Sequence, residues 1–147
     1  MKKHFADPLA EFNQLYKKMD GIYHSYAKAL GISDMTLWLL YSLCEDNASY
    51  TQKELCSAWC YPVQTVNSAL KNLEKQEIIA LEHIPGNLKN KKIVLTEKGK
   101  EYTQKIIAPL IAAEQKSLQF LTEEEQEVLL SLIRKYTELL QIKVNEI

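Results

Sequence analysis

Gln64, Thr65, Asn67, Ser68 and Lys71 form the polar face of a short segment whose apolar residues, Val63, Val66, Ala69, Leu70 and Leu73, repeat at helical spacing. These types suit base-pair edges: Asn and Gln match the paired donor and acceptor of adenine, and the Thr methyl meets the thymine methyl. A lysine beside them suits phosphate. Twenty residues on, Asn87, Lys89, Asn90, Lys91 and Lys92 crowd a stretch opened by Pro85-Gly86, which is turn chemistry. Cations on a projecting tip neutralise a nucleic-acid backbone and release its counterions.

The charge distribution agrees. The net charge of the 147-residue chain is only −1, but Pro62 to Lys100 carries seven lysines against four glutamates. From Leu121 onward six glutamates face one arginine and two lysines. A polyanion is therefore expected against the middle of the chain.

Other groups carry less. Tyr23, Tyr26, Trp38 and Tyr41, with Tyr16, cluster in the first third; they are candidates to line an apolar pocket with hydroxyl handles, or to be core. His24 shares that stretch and is a candidate proton or carboxylate sensor. Cys44, Cys56 and Cys60 are too few for a disulfide scaffold. Cys56 and Cys60, four apart on one helix, are poorly placed for a disulfide and have no nearby histidine to complete a zinc site. Buried small residues are the simpler reading, with a redox switch as the alternative. No glycine-rich phosphate loop, Gly-x-Ser-x-Gly elbow or His-Glu-x-x-His motif occurs, and His4, His24 and His83 are scattered. No enzyme, cofactor or metal is expected. No run approaches the roughly 18 apolar residues of a membrane span, and no apolar run follows Met1-Lys2-Lys3-His4, so a cytoplasmic chain without signal peptide is expected.

The elements that position these residues are mostly helices. Asp7-Pro8 opens the first, interrupted by Gly21 and closed at Gly31. Ser33 caps a second, closed by Glu45-Asp46-Asn47. Thr51-Gln52-Lys53-Glu54 is a capping box for a short third, reaching about Cys60. Pro62 starts the fourth. The pattern then becomes β: a strand from Ile78 to Ile84, a turn, and a second from Lys91 to Leu95. Thr96 caps a fifth helix to about Gln119, which Pro109 should kink or locally unwind. Thr122-Glu123-Glu124-Glu125 caps the sixth, which carries Val128, Leu129, Leu132, Ile133, Tyr136, Leu139, Leu140 and Ile142. The expected class is mainly α with a small β-hairpin wing, a winged helix-turn-helix spanning residues 33–100 between long helical regions, 1–32 and 101–147. Phe5, Leu9 and Phe12, with Ile142, Val144 and Ile147, are expected dimer contacts. Two recognition helices on a symmetric dimer would meet successive major grooves about 34 Å apart.

Two blocks resemble the MarR family of bacterial regulators. One runs from Thr51-Gln52-Lys53-Glu54-Leu55 through Thr65-Val66-Asn67-Ser68 to Leu73-Glu74-Lys75; the other is Ile93-Val94-Leu95-Thr96-Glu97-Lys98-Gly99. The resemblance implies a homodimer on a pseudo-palindromic double-stranded operator, usually a repressor, released by a small aromatic or lipophilic effector or by cysteine oxidation. Four positions depart from the pattern. Asn87 and Lys89 stand where the family wing often has Asp-x-Arg, and lysine lacks the planar fork that suits a narrow minor groove. Cys60 replaces a glycine between the helices, and Pro62 replaces a Ser or Thr at the recognition-helix start. Glu77 replaces the glycine before the first wing strand, so that turn is free to differ. The alternative is a winged-helix protein-interaction module without specific DNA binding.

Overall fold

The computed structural model describes residues 7–45 and 50–147. Helix α1 spans Pro8–Leu30, α2 Asp34–Leu43, α3 Gln52–Trp59 and α4 Val63–Lys75. A two-residue strand β1, Tyr50–Thr51, precedes α3; β2 (Ile79–Ile84) and β3 (Asn87–Leu95) follow α4. Then come α5 (Glu97–Ile106), α6 (Ala108–Gln119) and α7 (Glu123–Asn145). The mainly helical winged-helix architecture expected from the sequence is present. Phe5 and the Asp46-Asn47 end of the second helix lie outside the described residues. The chain divides into two compact units, residues up to Ile107 and residues from Ala108 onward.

Side-chain caps set the helix starts. Asp7 accepts from the Leu9 amide, Ser33 from Thr36, and Thr51 from Glu54 with the reciprocal carboxylate bond of a capping box. Thr96 caps α5 and Thr122 caps α7, again in a box with Glu125. At the other end of α1, Gly31 takes a left-handed φ of 72° while the Ile32 amide reaches back to the Ala27 carbonyl. Gly21 does not interrupt α1.

The expected fifth helix is two helices. The break comes at Ile107, two residues before Pro109. Proline has no amide for the carbonyl four residues back, and its ring crowds that turn.

The sheet is antiparallel, ordered β1-β3-β2. Sequence pattern did not show β1, because two residues carry no period. It pairs Tyr50 with Ile93 and Thr51 with Lys92, making β3 the central strand. The hairpin runs in regular register from Ile79 opposite Leu95 to His83 opposite Lys91, and then Ile84 faces Asn87. Residues 88–90 therefore bulge from β3.

The core lies in the first unit. Leu37, Leu39, Leu40 and Leu55 are fully buried, joined by Val66, Leu70 and Leu73 from α4 and by Ile79 and Ile93 from the sheet. Each such side chain contributes about 1.5–3 kcal/mol on leaving water.

Candidate nucleic-acid interface

Helix α4 sorts its residues by period. Val66, Leu70 and Leu73 enter the core, while Gln64, Thr65, Ser68 and Lys71 are exposed on the far side. The Ser68 hydroxyl donates to the Gln64 carbonyl (3.1 Å), which leaves it mainly acceptor capacity. Asn67 stands apart from the other four. It is half-buried, and its Oδ1 is shielded without a hydrogen-bond partner. Its amide is thus only partly presented outward. Pro62 occupies the N-cap of α4 and supplies no side-chain bond; its carbonyl accepts from the Thr65 and Val66 amides (both 3.1 Å).

The turn that leads into α4 is shaped by an unusual residue. Cys60, at the end of α3, has a left-handed φ of 55°. Glu77, at the end of α4, has a φ of 60°. Both stand where the resembling pattern has glycine, and both hold a backbone conformation that glycine adopts most freely. At Glu77 the reason is visible. The Ile78 amide bonds the Leu73 carbonyl (2.9 Å), closing the helix as Gly31 closes α1. The Thr96 hydroxyl then donates to the Glu77 carbonyl.

Thr96 ties the base of the wing together. Its amide donates to the Ile78 carbonyl (3.1 Å), and its hydroxyl accepts from the Gly99 amide (2.9 Å). Gly99 sits so close to Ile78 that an added Cβ would lie 1.9 Å from that carbonyl oxygen. This explains why threonine and glycine stand three apart in the block that leaves the wing.

At the tip, Asn87 faces inward as much as outward. Its Oδ1 accepts from the amides of Lys89 (3.1 Å) and Asn90 (3.3 Å), holding the bulge that displays both residues. Lys89, Asn90 and Lys91 are exposed. Lys92 is half-buried with Glu82 as its cross-strand neighbour, so its charge is partly offset. The free positive charge of the wing is thus concentrated on Lys89 and Lys91.

The aromatic residues divide. Tyr23 and Trp38 pack with ring centroids 4.8 Å apart, and Trp38 and Tyr41 at 5.5 Å. Tyr23 and Trp38, with Tyr16, Met19 and Asp20, line a hollow of about 170 Å³, below the roughly 300 Å³ at which ligand pockets begin. Tyr26 is not part of it; its hydroxyl donates to the Ile106 carbonyl. His24 pairs with Asp34 at 3.0 Å, joining α1 to the start of α2. Cys56 is buried and Cys60 exposed, and burial pushes the Cys44 thiol up from its ordinary pKa, which disfavours its thiolate. Among the described residues no three His, Cys, Asp or Glu side chains converge as metal ligands, and no helix is long and apolar enough to cross a membrane.

No family sequence model and no curated protein matches the chain. Solved structures do. The chain is similar to NMB1585, a MarR family regulator from Neisseria meningitidis, at 19% identity and a TM-score of 0.80, covering 95% of this chain and 98% of that one. A putative MarR family transcriptional regulator from Listeria monocytogenes, complexed with 26mer DNA, matches at 27% identity and TM-score 0.69 over 90% of this chain and 87% of that one. BpsR of Bordetella bronchiseptica, whose DNA binding is regulated by 6-hydroxynicotinic acid, matches at 17% identity and TM-score 0.67 over 93% and 98%.

Proposed function

We propose that this chain, whose fold is that of the MarR family of transcriptional regulators, is a dimeric, sequence-specific DNA-binding regulator. The observation that carries the reading is the pairing of an exposed Gln64, Thr65, Ser68 and Lys71 face on α4 with Lys89 and Lys91 on an ordered wing bulge in the same compact unit. Helix α4 of each protomer enters a major groove. Gln64 and Thr65 read base edges, Ser68 adds an acceptor, and Lys71 contacts phosphate. The wing lysines grip the flanking backbone. Asn87 acts by holding Lys89 and Asn90 outward, and Asn67 ranks below Gln64 as a base reader because its Oδ1 is shielded.

The dimer reading is supported by apolar surface. Helix α7 has no buried residue, yet Leu132, Ile133, Tyr136, Leu139 and Leu140 are 42–59% exposed along it. Leu9, Phe12, Leu15, Met19 and Ile22 of α1 are 45–62% exposed. Contiguous apolar surface of this kind marks a protein contact, and a second copy of the chain offers a matching one. A bound effector or another signal then alters the spacing of the two DNA-reading heads. It shifts DNA affinity only by its own differential affinity for the two spacings. Repression is the mode expected from the resemblance.

Selection from a random duplex pool at about 100 mM salt tests this. Enrichment of an inverted repeat with half-sites about one helical turn apart is expected. Weak binding that vanishes as salt rises, without enrichment, would reject the reading in favour of a protein-interaction module.

A further inference from the structure

Two neighbouring side chains of α4 have their hydrogen-bonding sense fixed by the chain itself. Gln64, Ser68 and Lys71 stand opposite the buried stripe of Val66, Leu70 and Leu73, and Asn67 stands on its flank. Ser68 spends its one hydroxyl hydrogen on the main-chain carbonyl of Gln64 (3.1 Å). What it offers outward is lone pairs. Asn67 is the opposite case. Its Oδ1 is, among the described residues, the one buried side-chain nitrogen or oxygen without a hydrogen-bond partner. The Nδ2 of the same amide is not shielded in this way, so what Asn67 offers outward is donors.

A shielded acceptor with no partner is costly, and each such group calls for a reason. Reversing the amide would put an amino group with two hydrogens in the same shielded place instead of one oxygen. The orientation also decides what Asn67 can read. An asparagine holds adenine by both ends, donating to N7 and accepting from the N6 amino group. Asn67 lacks the accepting end. In the major groove guanine offers two adjacent acceptors, N7 and O6, which match an amino group with two hydrogens. Adenine sets a donor beside its N7, hydrogen against hydrogen, and thymine offers O4 alone. The cytosine paired with guanine presents its N4 amino group, which matches the lone pairs of Ser68. Gln64 is exposed and keeps both ends of its amide, so adenine remains the match there.

We propose that Asn67 reads a guanine and that Ser68 accepts from the amino group of its paired cytosine, so that each half-site of the operator holds one fixed G·C pair. This assignment rests on the DNA-binding reading and deepens it. It also reverses the adenine match expected of Asn67 from its residue type, because the type supplies both ends of the amide and the fold removes one. An A·T pair in the same place inverts both senses. Its N6 amino group meets the Asn67 amino group, and thymine O4 meets the Ser68 lone pairs.

The test uses the full chain and the duplex that selection yields. Each guanine of the half-site is replaced in turn by 7-deazaguanine, which lacks the N7 acceptor, and the dissociation constant is measured. One position should lose about five- to tenfold with the wild-type chain and nothing with Asn67→Ala. Hypoxanthine there, which lacks only the minor-groove amino group, should bind as guanine does. An A·T pair there should cost about tenfold or more, and part of that loss should disappear in Ser68→Ala. Asn67→Ala removes an unpartnered acceptor, so its thermal midpoint should not fall; should it fall, the modified duplexes on the wild-type chain decide alone. A selected half-site without a fixed guanine overturns the assignment and leaves the DNA-binding reading standing. So do 7-deazaguanine losses that Asn67→Ala leaves unchanged, and so does a 7-deazaadenine loss that vanishes in Asn67→Ala, the mark of an adenine contact. Failure to select any duplex removes the DNA-binding reading and the assignment with it.

Discussion

Helices α4 and α7 are both amphipathic, yet they end differently. Helix α4 buries Val66, Leu70 and Leu73 to within 5% exposure, whereas no residue of α7 is buried. The same device, an apolar stripe at helical spacing, closes a core in one case and stays open to solvent in the other. A stripe therefore states that a partner surface is needed but not whether it lies in the same chain. The first unit meets its own need with Leu37, Leu39, Leu40 and Leu55 and with the sheet residues Ile79 and Ile93. The α7 stripe does not meet its need in the described chain, which is why assembly is proposed there.

This contrast can be broken most directly at α7. Leu132→Glu/Leu139→Glu should raise the dimer dissociation constant about thousandfold, as two lost interface anchors imply. Sedimentation equilibrium should show monomer at micromolar concentration, with the far-ultraviolet circular dichroism of the first unit retained; an unchanged dimer would place the interface elsewhere. Next in size, Gly99→Ala should destabilise the first unit by about 3 kcal/mol or more, because its Cβ meets the Ile78 carbonyl oxygen rather than a movable side chain. Urea unfolding should give the same loss at every protein concentration, which distinguishes a self-contained core from an assembled one.

Smaller effects belong to the surface of the first unit. Gln64→Ala should cost about 1–3 kcal/mol on the selected duplex and relax preference at one base position, whereas Lys91→Ala should weaken all duplexes alike and lower the salt slope by about 1. Binding titrations at several salt concentrations separate the two; a uniform loss from Gln64→Ala would remove it from base reading. Smallest is a gain. Glu77→Gly should stabilise the chain by about 1 kcal/mol, since a side chain at positive φ is replaced by the residue that adopts it freely. A loss on thermal unfolding would mean that the Glu77 side chain contributes more than its backbone strain costs.

The sequence was most legible where one residue decides one bond. Asp7, Ser33, Thr51, Thr96 and Thr122 each mark a helix start because each hydroxyl or carboxylate satisfies an amide its own helix cannot. Gly31 marks an end for a comparable local reason. The resemblance to the MarR family also holds, at the level of the whole fold. Legibility failed where the deciding contact is distant. Tyr50-Thr51 becomes a strand only because β3 is there to pair with it, and two residues show no alternation. The wing tip read as simple turn chemistry, but the hydrogen bonds that Asn87 accepts give Lys89 and Asn90 a bulge, which depends on register. The fifth helix read as one element kinked or locally unwound at Pro109, and the unwinding goes as far as dividing it at Ile107. Of the candidate site, the exposed side chains of α4 followed from periodicity. The shielding of Asn67 did not, because it sits at the border of the stripe, where a small rotation of the helix decides burial.

The pairing of Tyr50 with Ile93 spans a large fraction of the first unit. Helices α2, α3 and α4 and the β2–β3 hairpin close over short sequence separations and need little chain entropy to do so. The β1–β3 ladder must bring together residues more than about forty positions apart, the kind of contact that slows folding. The edge that anchors the wing beside α3 should therefore be among the last parts to form on refolding. In kinetic experiments Tyr50→Gly, which spares the Thr51 cap of α3, should leave the refolding rate nearly untouched and speed unfolding instead.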